Sequence, residues 1–360
     1  MSFERDNIAR MQGYTPGEQL DGDNIIKLNT NENPYPPSPA VAQALQDTAV
    51  ASLRRYPPAT ALRFRQAAAA LHGIDADNII ATNGGDELLR LVLTTFVEAG
   101  DTIVTTQPSY SLYPVLAEIQ NCKLRELPLA DDWSMPEDFI DKLNQSKAKL
   151  CILVNPHAPT GTLLSISYLE TIADKFDGIL LVDEAYVDFV DPDQHYNSVP
   201  LAVGHPNVLL LRTLSKGYSL AGLRFGYGIG NQSLIDPMQY KTRDSYNTDL
   251  LAQRLATAAV ESIEHASDTW AKVRSSRKQL AAALSDLGFV VYPSQTNFLL
   301  CRVPEGKQAE QLYLDLKARK ILVRYFNQER LQDKLRISIG SEAENRSLLA
   351  ALEEILAAES

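Results

Sequence analysis

Lys216 sits in Arg212-Thr213-Leu214-Ser215-Lys216-Gly217, and Leu220-Ala221-Gly222-Leu223-Arg224 follows closely. One amine is thus surrounded by two hydroxyls and a guanidinium. That set suits an aldehyde ligand bearing a phosphate, because the amine condenses with the aldehyde while hydroxyls and guanidinium hold the anion. A surface lysine in an ordinary strand-to-helix loop accounts for the same residues equally well, so other segments must decide. Four more loops follow short apolar runs. Asn83-Gly84-Gly85-Asp86-Glu87 lets backbone approach a ligand and opens a helix whose first N–H groups favour an anion; a plain helix start with Asp86 in its first turn is the simpler account. Gln107-Pro108-Ser109-Tyr110 offers an aromatic face for a planar ring, or a core tyrosine. Asn155-Pro156-His157-Ala158-Pro159-Thr160-Gly161 holds Asn155 extended at a strand end. Val182-Asp183-Glu184-Ala185-Tyr186 puts a carboxylate at the end of an apolar run.

A lysine, a strand-end aspartate, a stacking aromatic and a phosphate cup are together what pyridoxal 5'-phosphate requires. Its aldehyde condenses with the lysine, and its ring must stay a protonated pyridinium to accept electrons. An Asp183–pyridinium pair near 4 Å at an effective dielectric near 20 is worth about 4 kcal/mol. That equals roughly three pKa units, enough to keep the ring nitrogen protonated at neutral pH. Arg224, Thr213, Ser215 and the N–H groups of the Gly85 to Glu87 turn would take the phosphate. Competing chemistries fit less well. Asp183-Glu184 after an apolar run suits a P-loop ATPase, but G-x-x-x-x-G-K-[ST] occurs nowhere. Gly226-Tyr227-Gly228-Ile229-Gly230 has Asn231 where a dinucleotide fold needs a glycine, and Gly217 to Gly222 is one residue too long for a nucleophile elbow. His72, His157, His195, His205 and His265 have no metal-ligand spacing, and only His157 invites a role beyond the core. No metal is expected.

The elements that would position these groups alternate. Residues 78–82, 102–105, 150–154, 178–182 and 208–211 are short strands, separated by helical patterns at 87–93 and 168–173. This predicts an α/β fold with a mostly parallel sheet, whose ligands bind at the carboxyl ends of the strands. From about Leu250 to Leu287 an alanine- and leucine-rich pattern predicts one long helix connecting two domains. Beyond it, strands are expected at 289–292, 297–300, 321–324 and 335–339, with helices at 308–318 and 343–357. The expected division is residues 1–40 as an arm and part of the small domain, 41–250 as the large domain and 251–360 as the small one.

At 360 residues, two domains are the expectation. An apolar fraction of 45% and a charged fraction of 22% suit a globular protein, and no apolar run approaches membrane-spanning length. The first residues lack a secretory pattern, so the cytoplasm is expected. Cys122, Cys151 and Cys301 are odd in number and far apart, which predicts reduced core thiols. Net charge is 34 minus 45, or -11, which opposes binding to nucleic acid.

Taken together the chain resembles the fold-type I pyridoxal-phosphate aminotransferases of the aspartate aminotransferase group, most closely the branch acting on histidinol phosphate. The resemblance runs through Tyr14-Thr15-Pro16-Gly17-Glu18-Gln19, Leu28-Asn29-Thr30-Asn31-Glu32-Asn33-Pro34-Tyr35, Arg55-Tyr56-Pro57, Asp183-Glu184-Ala185-Tyr186, Ser215-Lys216 and Leu335-Arg336-Ile337-Ser338-Ile339-Gly340, in family order. It implies a three-layer sheet with a smaller α+β domain. It implies that Lys216 forms the Schiff base and Asp183 meets the pyridine nitrogen, while Asn155 and Tyr186 contact the ring hydroxyl. Tyr110 would stack on the ring. Gly85, Asp86, Glu87, Thr213, Ser215 and Arg224 would surround the phosphate. Tyr56 would reach the cofactor of a second subunit, making the enzyme a homodimer. Arg336 would grip the anionic end of substrates, with Asn155 also near substrate and with Arg324 and Tyr14 assisting where that end is a phosphate. The implied reaction passes an amino group between a small-molecule donor, L-histidinol phosphate, and a 2-oxo acid, 2-oxoglutarate, by ping-pong turnover. An aromatic amino-acid aminotransferase and a phospho-amino-acid decarboxylase of the same fold are the rivals. A non-catalytic sensor would need an appended DNA-binding domain. His157-Ala158 and Pro58 depart from the family pattern, which bears on substrate choice more than on the cofactor.

Overall fold

The computed structural model describes residues 3–20, 22 and 24–358, so the ends of the expected arm and small domain, and Asp21 and Asp23, lie outside the described residues. Among the described residues thirteen strands run in chain order: β1 (Ile26–Lys27), β2 (Ile79–Thr82), β3 (Thr102–Gln107), β4 (Lys123–Pro128), β5 (Leu150–Val154), β6 (Ile179–Asp183), β7 (Val208–Thr213), β8 (Gly226–Gly230), β9 (Val290–Val291), β10 (Phe298–Arg302), β11 (Ile321–Leu322), β12 (Arg324–Tyr325) and β13 (Lys334–Ser338). Seven form one sheet in the order β2-β8-β7-β6-β5-β3-β4. Only β8 runs against the others, pairing antiparallel with both β2 and β7. The carboxyl ends of β2, β3, β5, β6 and β7 therefore share one edge of the sheet. Every loop that carries chemistry leaves from that edge.

Alternation along the strands sorts side chains between two cores. Ile152, Val154, Leu181, Leu209 and Leu211 face helices Gly84–Phe96 and Leu112–Gln120. Cys151, Leu153, Leu180, Val182, Val208 and Leu210 face the opposite layer, which includes helices Leu62–His72 and Ile166–Lys175. β8 and β4 were not expected as strands. In β8 the glycines that suggest a loop are needed for packing: a Cβ on Gly228 would stand 3.0 Å from Ile80 and from Leu88.

The smaller sheet has the order β12-β13-β10-β9 and is antiparallel, while β1 and β11 make a separate parallel pair. The single strand expected at 321–324 is thus two strands in two sheets. Helices Ile263–Asp286, Ala309–Ala318 and Glu342–Ala358 supply this domain's core through Val273, Leu280, Leu284, Leu312, Leu316 and Leu352. The expected long helix over 250–287 is interrupted at Ser262. Its first part, Leu250–Glu261, buries Ala252, Leu255, Ala256 and Val260 with the large-domain core. The first part of the expected connecting helix therefore packs with the large domain. Among the described residues no helix is long and apolar enough to cross a membrane. Cys151 and Cys301 are buried as expected, whereas Cys122 is only half-buried.

The domains are tied by Arg277. Its guanidinium is buried, donates to the carbonyls of Phe189 at 2.9 Å and Thr296 at 2.7 Å, and pairs with Asp191 at 2.9 Å. Phe189 and Asp191 follow β6, yet Phe189 is fully buried in the small-domain core. Arg277→Leu takes their shared donor from the two carbonyls and leaves the nearly buried Asp191 carboxylate with only Gln295 at 3.2 Å and Lys278 at 3.7 Å. We expect it to lower the unfolding free energy by about 3 kcal/mol, read from the urea midpoint.

Candidate active site

A cavity of about 560 Å³ opens at the shared strand edge, between the two domains and under the N-terminal segment. Its walls include Tyr14, Gly85, Asp86, Tyr110, Asp183, Tyr186, Thr213, Ser215, Lys216, Arg224, Arg324 and Arg336. Twelve of the fifteen residues expected to share a site are therefore gathered here. Lys216 follows β7, and its Nζ donates to the Thr30 carbonyl at 2.8 Å. Burial, and next the positive charge of Arg336, push its amine down to about 8. A usable fraction is then neutral, and so nucleophilic, near physiological pH.

Asp183 closes β6 and is 6% exposed. Its Oδ2 accepts from the Tyr113 hydroxyl at 2.8 Å and its Oδ1 from the Ala185 N–H at 3.1 Å. Burial raises its carboxyl to about 6, opposed by those two hydrogen bonds, so it is mainly ionised at pH 7. Tyr186 accepts from Asn31 Nδ2 at 3.0 Å. Tyr110 meets Tyr14 edge-on with ring centres 5.9 Å apart, and Tyr113 at 5.5 Å.

One end of the cavity is built for an anion. Arg224 reaches Ser215 Oγ at 3.4 Å and Asp86 Oδ2 at 3.4 Å, and Thr213 Oγ1 donates to Ser215 Oγ at 2.9 Å. The first N–H groups of helix Gly84–Phe96 lack intrahelical partners by geometry, and Gly85 and Asp86 of that first turn line the same cavity. Gly84 takes φ +76°, and a Cβ there would press on Arg224 at 2.9 Å. At the other end stand Arg324 and Arg336, both over the Phe326 ring at 5.3 and 5.5 Å. Arg336 donates from Nη2 to the Asn29 carbonyl at 2.9 Å, while its buried Nε has no partner among the described residues. A guanidinium in this state is prepared for a second, planar acceptor.

Three expected residues are not among the walls. Asn155 is fully buried on the other face of the sheet: its Nδ2 donates to Leu164 O at 3.2 Å and Tyr196 OH at 2.9 Å, and its Oδ1 accepts from Leu164 N at 2.7 Å. The reason is parity. The Asn155 N–H continues the ladder to Asp183 O, so with Val154 facing the cavity the next side chain turns away. Glu87 bends back to the Asn83 N–H and accepts from Asn247 at 3.0 Å, capping its helix. Tyr56 is 81% exposed and stacks on Tyr246 with centres 4.4 Å apart. His157 is a core residue, bonded to Thr160 at 2.8 Å and Thr106 at 3.2 Å, and burial holds its imidazole neutral, down to about 4.

Several participants carried no individual signal in the sequence. Thr30, Asn31, Phe326, Gln328 and Leu331 line the cavity from the small domain and the N-terminal segment. Behind the sheet, buried Glu184 accepts from Tyr196 at 2.7 Å, from Ser198, and from Arg212 Nε at 2.9 Å. Alternation from Asp183 and Thr213 would have put Glu184 and Arg212 on one rear face, so this pair could have been found.

Comparison with known proteins agrees with this geometry. The sequence matches the family described as aminotransferase class I and II over residues 23–352. It is 42% identical to histidinol-phosphate aminotransferase 1 of Trichormus variabilis over 356 residues, 99% of each chain. It is 42% identical to the histidinol-phosphate aminotransferase of Microcystis aeruginosa over 352 residues, 98% of each. The crystal structure of the Sinorhizobium meliloti histidinol-phosphate aminotransferase in complex with pyridoxal-5'-phosphate superimposes with a TM-score of 0.91 at 26% identity, covering 100% of this chain and 99% of that one. With an amine, a buried carboxylate and two anion sites arranged around one cavity, this chain belongs to the aminotransferase class I and II family.

Proposed function

We propose that the protein is a pyridoxal-phosphate-dependent aminotransferase that converts L-histidinol phosphate and 2-oxoglutarate to imidazole acetol phosphate and L-glutamate, a step of histidine biosynthesis. The carrying observation is that Lys216 and Asp183 face one cavity whose two ends each present arginine. The cofactor fits what is present: an anion cradle a Cβ would fill, a buried acid for the ring nitrogen, and an amine with lowered basicity. When bound, it supplies an electron sink that makes the donor's α-proton acidic. Arg224, Thr213, Ser215 and the N–H groups of the Gly85 turn would hold its phosphate, with Asp86 steadying Arg224 at 3.4 Å, while Tyr110 would cover one ring face, Tyr186 would reach the ring hydroxyl and Asp183 would keep the ring nitrogen protonated. Asn155 and Glu87 support this shell from behind.

Lys216 then carries the proton. Its free Nζ would act as base on the donor's α-proton and then, as acid, give that proton back on the cofactor side. Arg336 and Arg324, with Tyr14, bind the phosphate of one substrate and the carboxylates of the other, which explains how one site accepts two substrates in turn. The N-terminal segment lines the cavity through residues 13–17 and Gln19 and is pinned where Glu18 accepts from Tyr313 OH at 2.6 Å and pairs with Lys317.

We infer a homodimer in the cytoplasm, with Tyr56 reaching the neighbouring subunit's cofactor phosphate. Support comes from the exposed aromatic pair Tyr56 and Tyr246, together with exposed Val50, Leu53, Leu62 and Tyr240. Sedimentation at micromolar concentration should give twice the chain mass. The substrate assignment is tested by steady-state comparison of L-histidinol phosphate with phenylalanine. Parallel double-reciprocal lines and a large kcat/KM preference for the phosphate are expected, and preference for phenylalanine would replace this assignment with an aromatic aminotransferase.

Lys216 also sets a pH signature. Capture of the aldehyde needs the neutral amine, so capture by the cofactor-free protein should speed up about tenfold per pH unit below 8 and level off above it. An ordinary lysine would keep accelerating past pH 10. Stopped-flow absorbance distinguishes the two.

A further inference from the structure

Tyr113 is among the largest fully buried side chains of the protein, 2% exposed, at the start of helix Leu112–Gln120. A phenylalanine would fill that space without a polar atom. A buried phenolic hydroxyl is unfavourable unless it is bonded, and this one is directed 2.8 Å to Asp183 Oδ2. The Ala185 N–H occupies the other oxygen from its own loop. The carboxylate is thus held by one donor on each oxygen, with a lone pair left on each for a ligand.

We propose that Tyr113 is a positioning residue for cofactor binding: its hydroxyl orients the Asp183 carboxylate and keeps it ionised toward the pyridine nitrogen. The proposal rests on the role given to Asp183 above. The groups facing Asp183 from every side make the hydroxyl necessary. Asp86 at the helix start after β2 and Glu184 beside it both raise the Asp183 carboxyl, as burial does, while Tyr110 and Tyr186 complete the surroundings. Against these, Tyr113 is the largest opposing influence and the Ala185 N–H the next. Tyr113 also meets the Tyr110 ring at 89°, a contact that phenylalanine would retain.

The test compares equilibrium binding of pyridoxal phosphate and its 1-deaza analogue, which keeps aldehyde and phosphate but lacks the ring nitrogen. Both are titrated into cofactor-free wild type, Tyr113→Phe and Asp183→Asn. Wild type should prefer pyridoxal phosphate strongly. Tyr113→Phe should lose about tenfold of that preference, as expected for a hydrogen bond to a charged group. The acid limb of pyridoxal phosphate binding should also move to higher pH, because the unassisted carboxyl protonates sooner. A purely structural role would weaken both ligands equally and leave their ratio intact. That result, or an unchanged ratio and acid limb, overturns the proposal. If wild type itself shows no preference and Asp183→Asn changes nothing, the role of Asp183 falls, and this inference with it. Thermal melting of the cofactor-free variants checks folding separately, and the ratio is internal to each variant.

Discussion

Lys216→Ala should lower kcat by at least about 10⁴-fold, the upper range for a positioned acid–base group, while the protein folds normally. The amine performs two tasks, covalent anchoring and proton transfer, and no neighbouring group replaces both. Lys27 also lines the cavity, but it is paired with Glu32 at 2.7 Å. Stability should not suffer. A lysine whose folded-state pKa is depressed destabilises the fold while protonated, a penalty that fades as pH rises from about 8 toward its unfolded value. Removing it therefore leaves the melting temperature equal or higher at pH 7. Small primary amines added to the variant should recover part of the rate, because the lesion is a missing base.

Arg336→Ala should lower kcat/KM for both substrates by about 2–5 kcal/mol, the cost of truncating one member of a buried charge pair. That corresponds to roughly 30- to 5,000-fold. Both half-reactions should suffer, because one guanidinium serves donor and acceptor in turn. Arg336→Lys keeps the charge but loses the planar fork, so it should recover only a minor part. Capture of pyridoxal phosphate should be little changed in Arg336→Lys, and in Arg336→Ala slowed only as far as loss of that charge makes Lys216 more basic, since the anion cradle lies at the opposite end of the cavity. Equal loss of capture and turnover would mean that Arg336 supports the fold rather than the substrates.

Much of this arrangement was legible in the sequence, for physical reasons that also explain the exceptions. β5, β6 and β7 are buried on both faces, so they read as uninterrupted apolar runs, and the reactive residues follow directly. β4 was not legible because it is an edge strand whose Lys123, Arg125 and Glu126 face solvent. β8 was obscured by glycines that the packing of Ile80 and Leu88 requires. The break at Ser262 left no signal in a continuous alanine-rich pattern, so one helix was expected where two stand.

Within the site, residue type and spacing pointed to Lys216, Asp183 and Arg224, and the resemblance to Arg336, but orientation needed the strand register. Asn155 follows a strand whose alternation turns it to the rear, which a count from Val154 would have predicted. The Lys216 contact with Thr30 and the Tyr113 contact with Asp183 join segments 186 and 70 residues apart. No local pattern encodes such pairs. They arise where the two domains and the parallel strand ends meet.

The most direct test of the central claim is borohydride reduction of the protein loaded with pyridoxal phosphate, followed by peptide mass mapping. The reduced pyridoxyl mass should appear on the peptide containing Lys216 and on no other. Finding it on Lys27, on a surface lysine or nowhere would contradict the assignment of Lys216 as the residue that carries the chemistry.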